Sequence, residues 1–73
     1  MERKILNIIN YIRKSKGMVG LDTISATDSL REDIGFTSFD LAELTVRIED
    51  EFDIDIFEDG LISTVGEIFE KLQ

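Results

Sequence analysis

The segment from Ser38 to Phe52 constrains the fold more than any other part of the chain. Its apolar residues recur at intervals of three or four positions: Leu41, Leu44, Ile48 and Phe52. At about 100° per residue, this spacing places them on one face of an α-helix. Neither Gly nor Pro occurs between Gly35 and Gly60, so nothing in the composition breaks the helix early. The pattern predicts an amphipathic helix that buries this face in a core.

Two further segments have helical spacing. Residues 2–16 carry an apolar stripe made of Ile5, Leu6, Ile8, Ile9 and Ile12. Gly17 follows this stripe as a conventional helix stop. Near the carboxyl end, Thr64 and Glu67 have the spacing of a capping box. The apolar residues Ile68, Phe69 and Leu72 then predict a short final helix, which Gly66 in its first turn should weaken modestly.

A long connection, residues 18–37, separates the first two predicted helices. Its apolar residues follow no steady period and lie among Gly, Asp, Ser and Thr. A structureless loop of this length is uncommon in a compact domain. We therefore expect the connection to pack across the helices, with a short helical turn near Ser29 to Asp33. A second short turn is predicted near Phe57 to Leu61.

Length and composition favour one small helical domain. The chain has 73 residues, which predicts a single domain over residues 1–73. It contains no Pro and only five Gly, and it is rich in Ile, Leu, Glu and Asp. These features predict an all-α fold rather than a sheet.

The charge and the absence of Cys narrow the partners. Sixteen acidic residues against eight basic ones give a net charge of −8, which argues against nucleic acid and anionic membrane surfaces. It favours partners with basic docking patches. Without Cys there is neither a disulfide framework nor a thiolate metal site. No apolar run is long enough to span a membrane and no signal-peptide pattern is present, so we expect a cytoplasmic monomer.

The junction from Gly35 to Asp40 puts Ser38 in the first turn of the predicted helix. Backbone N–H groups there lack intrahelical partners, and the helix dipole adds partial positive charge. A phosphate joined to this hydroxyl would be stabilised by both effects. The plainer interpretation is that Thr37 or Ser38 serves only as the helix N-cap.

The sequence around this junction resembles the acyl carrier proteins. The resemblance rests on Leu30-x-x-Asp33-Ile34-Gly35-Phe36-x-Ser38-Phe39-Asp40-x-x-Glu43-Leu44 and on Ile48-Glu49-Asp50-Glu51-Phe52. It implies a small four-helix bundle with a long first loop, in which Ser38 carries a covalent 4′-phosphopantetheine arm derived from coenzyme A. It also implies a carrier rather than an enzyme, which holds acyl intermediates as thioesters. Its partners would be a phosphopantetheinyl transferase and enzymes that transfer and elongate acyl groups in fatty acid or polyketide biosynthesis.

The chain departs from the family pattern at four positions, one of which is Arg47, an unusual residue on so acidic a surface. Thr37 stands where the family usually has Asp, Phe39 where it usually has Leu, and Phe57 where many relatives have Pro. A literal Asp-Ser-Leu occurs instead at Asp28-Ser29-Leu30, but Gly35 would end any helix that began there. Ser38 is therefore the predicted attachment site, and Ser29 is not.

The resemblance and the helical spacing also predict a docking face and a groove. Phe39 and Val46 lie nearly opposite the core stripe, Glu43 and Asp50 share their face, and Asp40 and Arg47 flank it. We expect these six residues to contact partner enzymes. The candidates for lining a groove that shelters the acyl chain are Leu44, Ile54, Ile56 and Ile62. Ile54, Ile56 and Ile62 are equally compatible with ordinary core positions.

Two other functions compete with the carrier. An acidic helical module that binds proteins without a prosthetic group would explain the charge and the outer apolar residues. An enzyme is disfavoured, because the chain has no His, no Cys and no metal-ligand cluster in its sequence. The acidic segment from Asp53 to Gly60 lacks the spacing of a calcium-binding loop.

Overall fold

A computed structural model describes residues 2–73. It contains three α-helices: α1 (Glu2–Ser15), α2 (Ser38–Phe52) and α3 (Val65–Leu72). The described residues form no β-strand, only an isolated antiparallel bridge between Ser29 and Thr64. The predicted all-α class is confirmed.

The expected fourth helix is absent from the described residues. Residues 56–59 form a turn, in which the N–H of Gly60 donates to the Phe57 carbonyl at 3.0 Å. This turn occupies the segment where a short helical turn was predicted, but it does not extend into a helix. The bundle therefore has three helices and a turn rather than four helices.

One continuous core joins the helices. Helices α1 and α2 pack against each other. The buried residues contributed by the helices are Ile5, Ile9 and Ile12 from α1, Leu41, Leu44 and Ile48 from α2, and Val65, Ile68 and Leu72 from α3. Burying one such side chain stabilises the fold by about 1.5–3 kcal/mol. The face predicted from the spacing of α2 is therefore the core face, although Phe52 at its end is only half-buried.

The long connection packs across the helices as expected. It contributes four buried residues to the core: Ile24, Leu30, Ile34 and Phe36. Arg13 of α1, itself buried, holds the loop by donating to the carbonyls of Val19 (3.0 and 2.8 Å) and Ile34 (2.6 Å). These hydrogen bonds compensate for the loss of water around the guanidinium.

The end of α1 sets the direction in which this connection leaves. Gly17 adopts a φ of +84°, and the N–H of Met18 donates to the carbonyl of Arg13 at 2.9 Å. The N–H of Gly17 donates to the Lys14 carbonyl at 3.0 Å. This pair of bonds is a Schellman motif, which favours Gly at the left-handed position. The predicted stop is confirmed.

The connection also docks onto the start of α3. The N–H of Leu30 donates to the Ser63 carbonyl and that of Val65 to the Asp28 carbonyl, at 2.9 and 3.0 Å. Helix α3 itself begins with the predicted capping box between Thr64 and Glu67.

No helix among residues 2–73 is both long and apolar enough to cross a membrane.

Candidate functional site

The N-terminus of α2 leaves the hydroxyl of Ser38 available. Thr37, in an extended conformation, is the N-cap, and its hydroxyl accepts from the N–H of Asp40 at 3.3 Å. In return, the Asp40 carboxylate accepts from the N–H of Thr37 at 2.8 Å. Capping is thus performed by Thr37, not by Ser38. Ser38 is the first residue of the helix, and it is exposed.

Arg31 lies directly against this hydroxyl. Its Nη2 donates to Ser38 Oγ at 2.6 Å, from a turn that packs beside the helix start. Among residues 2–73, the ion pairs do not include Arg31. Its guanidinium therefore provides positive charge at the Ser38 side chain that no carboxylate neutralises. No sequence pattern distinguished Arg31 as a site residue.

Asp40 does not belong to the docking face to which it was assigned. It is only 5% exposed, and its carboxylate forms an ion pair with Lys16 Nζ at 2.5 Å. Burial by itself would raise the pKa of Asp40. The hydrogen bonds from Lys16 and Thr37, with the positive charge of Lys16, outweigh burial and hold this pKa below its usual value. Asp40 positions the start of α2 instead of presenting its charge to a partner.

Lys16 ties three elements together at this point. Besides its pair with Asp40, its ammonium donates to the Gly35 carbonyl at 3.0 Å. The end of α1 therefore fixes both the loop before Ser38 and the first turn that contains it. A salt bridge between segments so far apart in the sequence could not be found from helical spacing.

A cavity of about 300 Å³ opens beside Ser38. It is lined by Arg31, Ser38, Leu41, Ala42, Thr45, Phe57 and Leu61. Ala42 and Thr45 follow Ser38 by four and seven positions, a helical spacing that could have indicated them in advance. Phe57 and Leu61 come from the segment around the turn at residues 56–59, and only the tertiary structure brings them to this wall.

The four residues predicted to line an acyl groove lie elsewhere. Leu44 and Ile56 are fully buried in the core, and Ile62 is 6% exposed. Ile54 is half-buried and packs against the same core. None of the four lines the cavity beside Ser38. Leu44, Ile54 and Ile56 therefore contribute to the core or pack against it. Ile62 lines a separate cavity together with Ser29 and Arg31.

The outer face of α2 is largely as predicted. Phe39 is 77% exposed and Val46 is 64% exposed, and Asp50 is exposed too. Glu43 and Arg47 are half-buried and form an ion pair at 2.9 Å. Glu43 thereby raises the pKa of Arg47 above its usual value. The exposed apolar pair is real, and its role in docking stays a prediction.

Arg47 is also engaged with α1. Its guanidinium carbon lies 4.1 Å from the centroid of the Tyr11 ring, a cation–π contact. Together with the pair to Glu43, this contact directs Arg47 across the seam between the two helices. Arg47 lies beside the outer face, as predicted. Its positive charge is already paired with Glu43 and lies against the Tyr11 ring.

Ser29, in the literal Asp-Ser-Leu, has a structural role. Its hydroxyl accepts from the N–H of Glu32 at 3.1 Å, and its own N–H donates to the Asp33 carboxylate at 2.7 Å. These bonds close the short turn that was predicted between Ser29 and Asp33. No helix of the structure begins at Ser29.

Among residues 2–73 no cluster of three or more His, Cys, Asp or Glu side chains could hold a metal ion.

A family comparison bears directly on this site. The profile of a family described as the phosphopantetheine attachment site matches residues 16–72. The chain belongs to this family. The group that this family carries is 4′-phosphopantetheine, attached covalently.

Two relatives support the same assignment. The chain is 32% identical over 56 residues to the mitochondrial acyl carrier protein of Saccharomyces cerevisiae, a match that covers 77% of this chain. The match spans only 45% of the length of that yeast protein. A solved structure described as an acyl carrier protein from Mycobacterium tuberculosis superposes with a TM-score of 0.78 at 36% identity. That match covers 97% of this chain and 92% of the mycobacterial one.

These similarities confirm the resemblance found in the sequence and the expected cofactor. The yeast relative is named as mitochondrial, so the cytoplasmic location of this chain stays a prediction.

Proposed function

We propose that Ser38 bears the 4′-phosphopantetheine arm and that the protein delivers acyl thioesters to the enzymes of fatty acid or related biosynthesis, including polyketide and other specialised pathways. The observation that carries this proposal is the exposed Ser38 hydroxyl at the first position of α2, with capping left to Thr37. The names of the yeast and mycobacterial relatives support the acyl cargo.

The residues around Ser38 fit a phosphate ester at that hydroxyl. The first N–H groups of a helix lack intrahelical partners, and the dipole favours an anion there. Arg31 adds a guanidinium, which is the side chain best suited to phosphate oxygens. When bound, the arm supplies a thiol that holds an acyl group as a thioester. The chain itself has no Cys that could take the acyl group from it.

Partner enzymes would dock on the outer face of α2. Phe39 and Val46 offer apolar contacts beside the carboxylate of Asp50, and the whole chain has a net charge of −8. A partner with a basic patch would be steered to this surface by long-range attraction. Because Glu43 is paired with Arg47, we assign more of this attraction to Asp50.

Loading with a phosphopantetheinyl transferase tests the proposal. The protein, coenzyme A, magnesium and the transferase are incubated, and intact mass is measured. We expect one added arm per chain in the wild type and none in Ser38→Ala. The matched control is Ser29→Ala, which removes a hydroxyl from the literal Asp-Ser-Leu and should load normally.

Two outcomes would contradict the proposal. Loading of Ser38→Ala, or loss of loading in Ser29→Ala alone, would move the attachment site to another residue. A wild-type protein that binds its partners and is never modified in its native host would instead support the acidic interaction module. In either case a circular dichroism spectrum confirms that the variants are folded.

A further inference from the structure

The surroundings of Ser38 are asymmetric in charge and in polarity. On one side, Arg31 donates a hydrogen bond of 2.6 Å to the hydroxyl and forms no ion pair among residues 2–73. Next to Ser38 in the chain, the N-cap is the neutral Thr37, whereas an Asp at this position would set a carboxylate beside the hydroxyl. The immediate neighbourhood of Ser38 is thus more favourable to an anion than the net charge of the chain suggests.

The apolar part of this neighbourhood begins at the same two residues. Arg31 and Ser38 both line the cavity of about 300 Å³, whose remaining lining includes Leu41, Phe57 and Leu61. Leu61, a large apolar side chain in the wall of this cavity, is 85% exposed. The volume of the cavity is at the lower end of the range for ligand pockets. The cavity therefore has room for a segment of a ligand attached at Ser38.

We propose that Arg31 is a positioning residue for the arm on Ser38: its guanidinium pairs with the phosphodiester and turns the adjoining segment of the arm into the cavity against Leu61. This inference rests on the proposed attachment at Ser38. The cavity then has one occupant, the part of the arm next to the phosphate. The remainder of the arm and its cargo extend beyond the cavity.

Arg31 is better placed to bind the phosphate than the other cation near Ser38. Lys16 is already committed to Asp40 and to the Gly35 carbonyl. Arg31 has several N–H donors, so it can bind a phosphate oxygen while it keeps its contact with Ser38. An arm held at both its phosphate and its apolar neighbour loses freedom to swing, and burial of Leu61 compensates for part of that loss.

The test compares apo and loaded forms of the same variants. Wild type, Arg31→Gln, Arg31→Lys and the control Arg3→Gln are each loaded with the unacylated arm, and loading is verified by mass. Arg3 is exposed on α1 and lies outside this cavity, so its variant matches the change in net charge. The readouts are the phosphorus NMR shift of the phosphodiester, the methyl NMR shifts of Leu61, and the melting temperature of each loaded protein relative to its apo form.

We expect loading to move the Leu61 methyl signals in wild type and in Arg3→Gln. In Arg31→Gln most of this movement should disappear, and the phosphorus shift should approach that of the arm in an unfolded protein. Arg31→Lys should fall between them, because an ammonium keeps the charge and loses the planar fork. Any gain in melting temperature on loading should fall in the same order.

Equal Leu61 and phosphorus shifts in wild type and Arg31→Gln would overturn the proposal. So would a wild-type Leu61 signal that loading leaves unmoved. Both results are distinct from failure of the proposed function, which would appear earlier as a Ser38 that takes no arm.

Discussion

At the scale of single residues, the carboxylates of α2 divide into structural and surface groups. Asp40 and Asp50 lie on the same helix, and the sequence assigned both to one surface. Asp40 is buried against Lys16 and completes the capping box with Thr37, whereas Asp50 is exposed. Their replacement should therefore have different consequences for folding.

We predict that Asp40→Asn destabilises the protein at neutral pH, by about 1.5–3 kcal/mol for a hydrogen bond to a charged group. Because the pKa of Asp40 is lowered on folding, the unfolded state binds a proton more readily than the folded state. The stabilisation is fully present above the unfolded value of about 3.9 and is lost as the pH falls through the lower folded pKa. Urea melts at pH 7 and at successively lower pH should show the difference from wild type narrowing.

The matched control is Asp50→Asn, which removes an exposed carboxylate from the same helix. We expect it to change the free energy of unfolding at pH 7 by no more than about 0.5 kcal/mol. Equal costs at pH 7 for Asp40→Asn and Asp50→Asn would mean that the pair with Lys16 contributes nothing to stability.

A second residue-scale prediction separates the two faces of α2. Phe39→Ala should stay near the range for surface changes, about ±0.5 kcal/mol, because Phe39 is 77% exposed. Leu44→Ala should cost about 2–5 kcal/mol, since Leu44 is fully buried. Thermal melts measure both.

Changes on the outer face of α2 should have little effect on stability but a clear effect on the rate at which the transferase loads Ser38. Phe39→Ala and Asp50→Lys should slow loading of Ser38, and Asp50→Lys should also weaken its salt dependence. If Phe39→Ala leaves the rate of loading unchanged, the outer face of α2 is not where the transferase docks.

At the scale of elements, Gly66 lies where the long connection packs closely against α3. The N–H of Gly66 donates to the Ala26 carbonyl at 2.9 Å. A Cβ at this position would lie 2.9 Å from the same carbonyl oxygen and 3.1 Å from the Ala26 Cβ. The contact is with backbone, which cannot rotate away as a side chain could. Gly66 thus permits the loop and the helix to pack closely.

We predict that Gly66→Ala destabilises the protein. Helix propensity alone would give a gain of about 1 kcal/mol for this change. The clash with Ala26 should reverse the sign, at a cost of about 1–3 kcal/mol typical of overpacking. Chemical unfolding of the variant decides between the two, and a higher midpoint than wild type would show that the loop yields without penalty.

At the scale of the whole molecule, charge opposes compactness. The sequence has sixteen acidic and eight basic residues, and the ion pairs among the described residues engage only some of the acidic ones. The remaining carboxylates repel one another over a small surface.

We predict that moderate salt raises the melting temperature at neutral pH. Exposed charges are screened over about 10 Å at 0.1 M ionic strength, so repulsion between carboxylates on different elements weakens. Calorimetry over a series of sodium chloride concentrations measures the effect. A melting temperature independent of salt would show that repulsion and the surface ion pairs cancel.

The sequence by itself determined the elements of this protein. Helical spacing located α2 from Ser38 to Phe52, and the Thr64 and Glu67 pair located the start of α3. These features depend on neighbours within a few positions, so local rules suffice for them. The resemblance around Ser38 added the family, which the match to the phosphopantetheine attachment family confirmed.

Only the tertiary structure decided which side chains meet around Ser38. It buried Asp40 against Lys16, set Arg31 on the Ser38 hydroxyl, and placed Leu61 rather than Leu44 in the wall of the cavity. Each of these contacts joins a residue of α2 to a residue that lies outside α2. Their geometry depends on how the long connection and the turn at residues 56–59 pack on the core, which no periodic pattern in the sequence encodes.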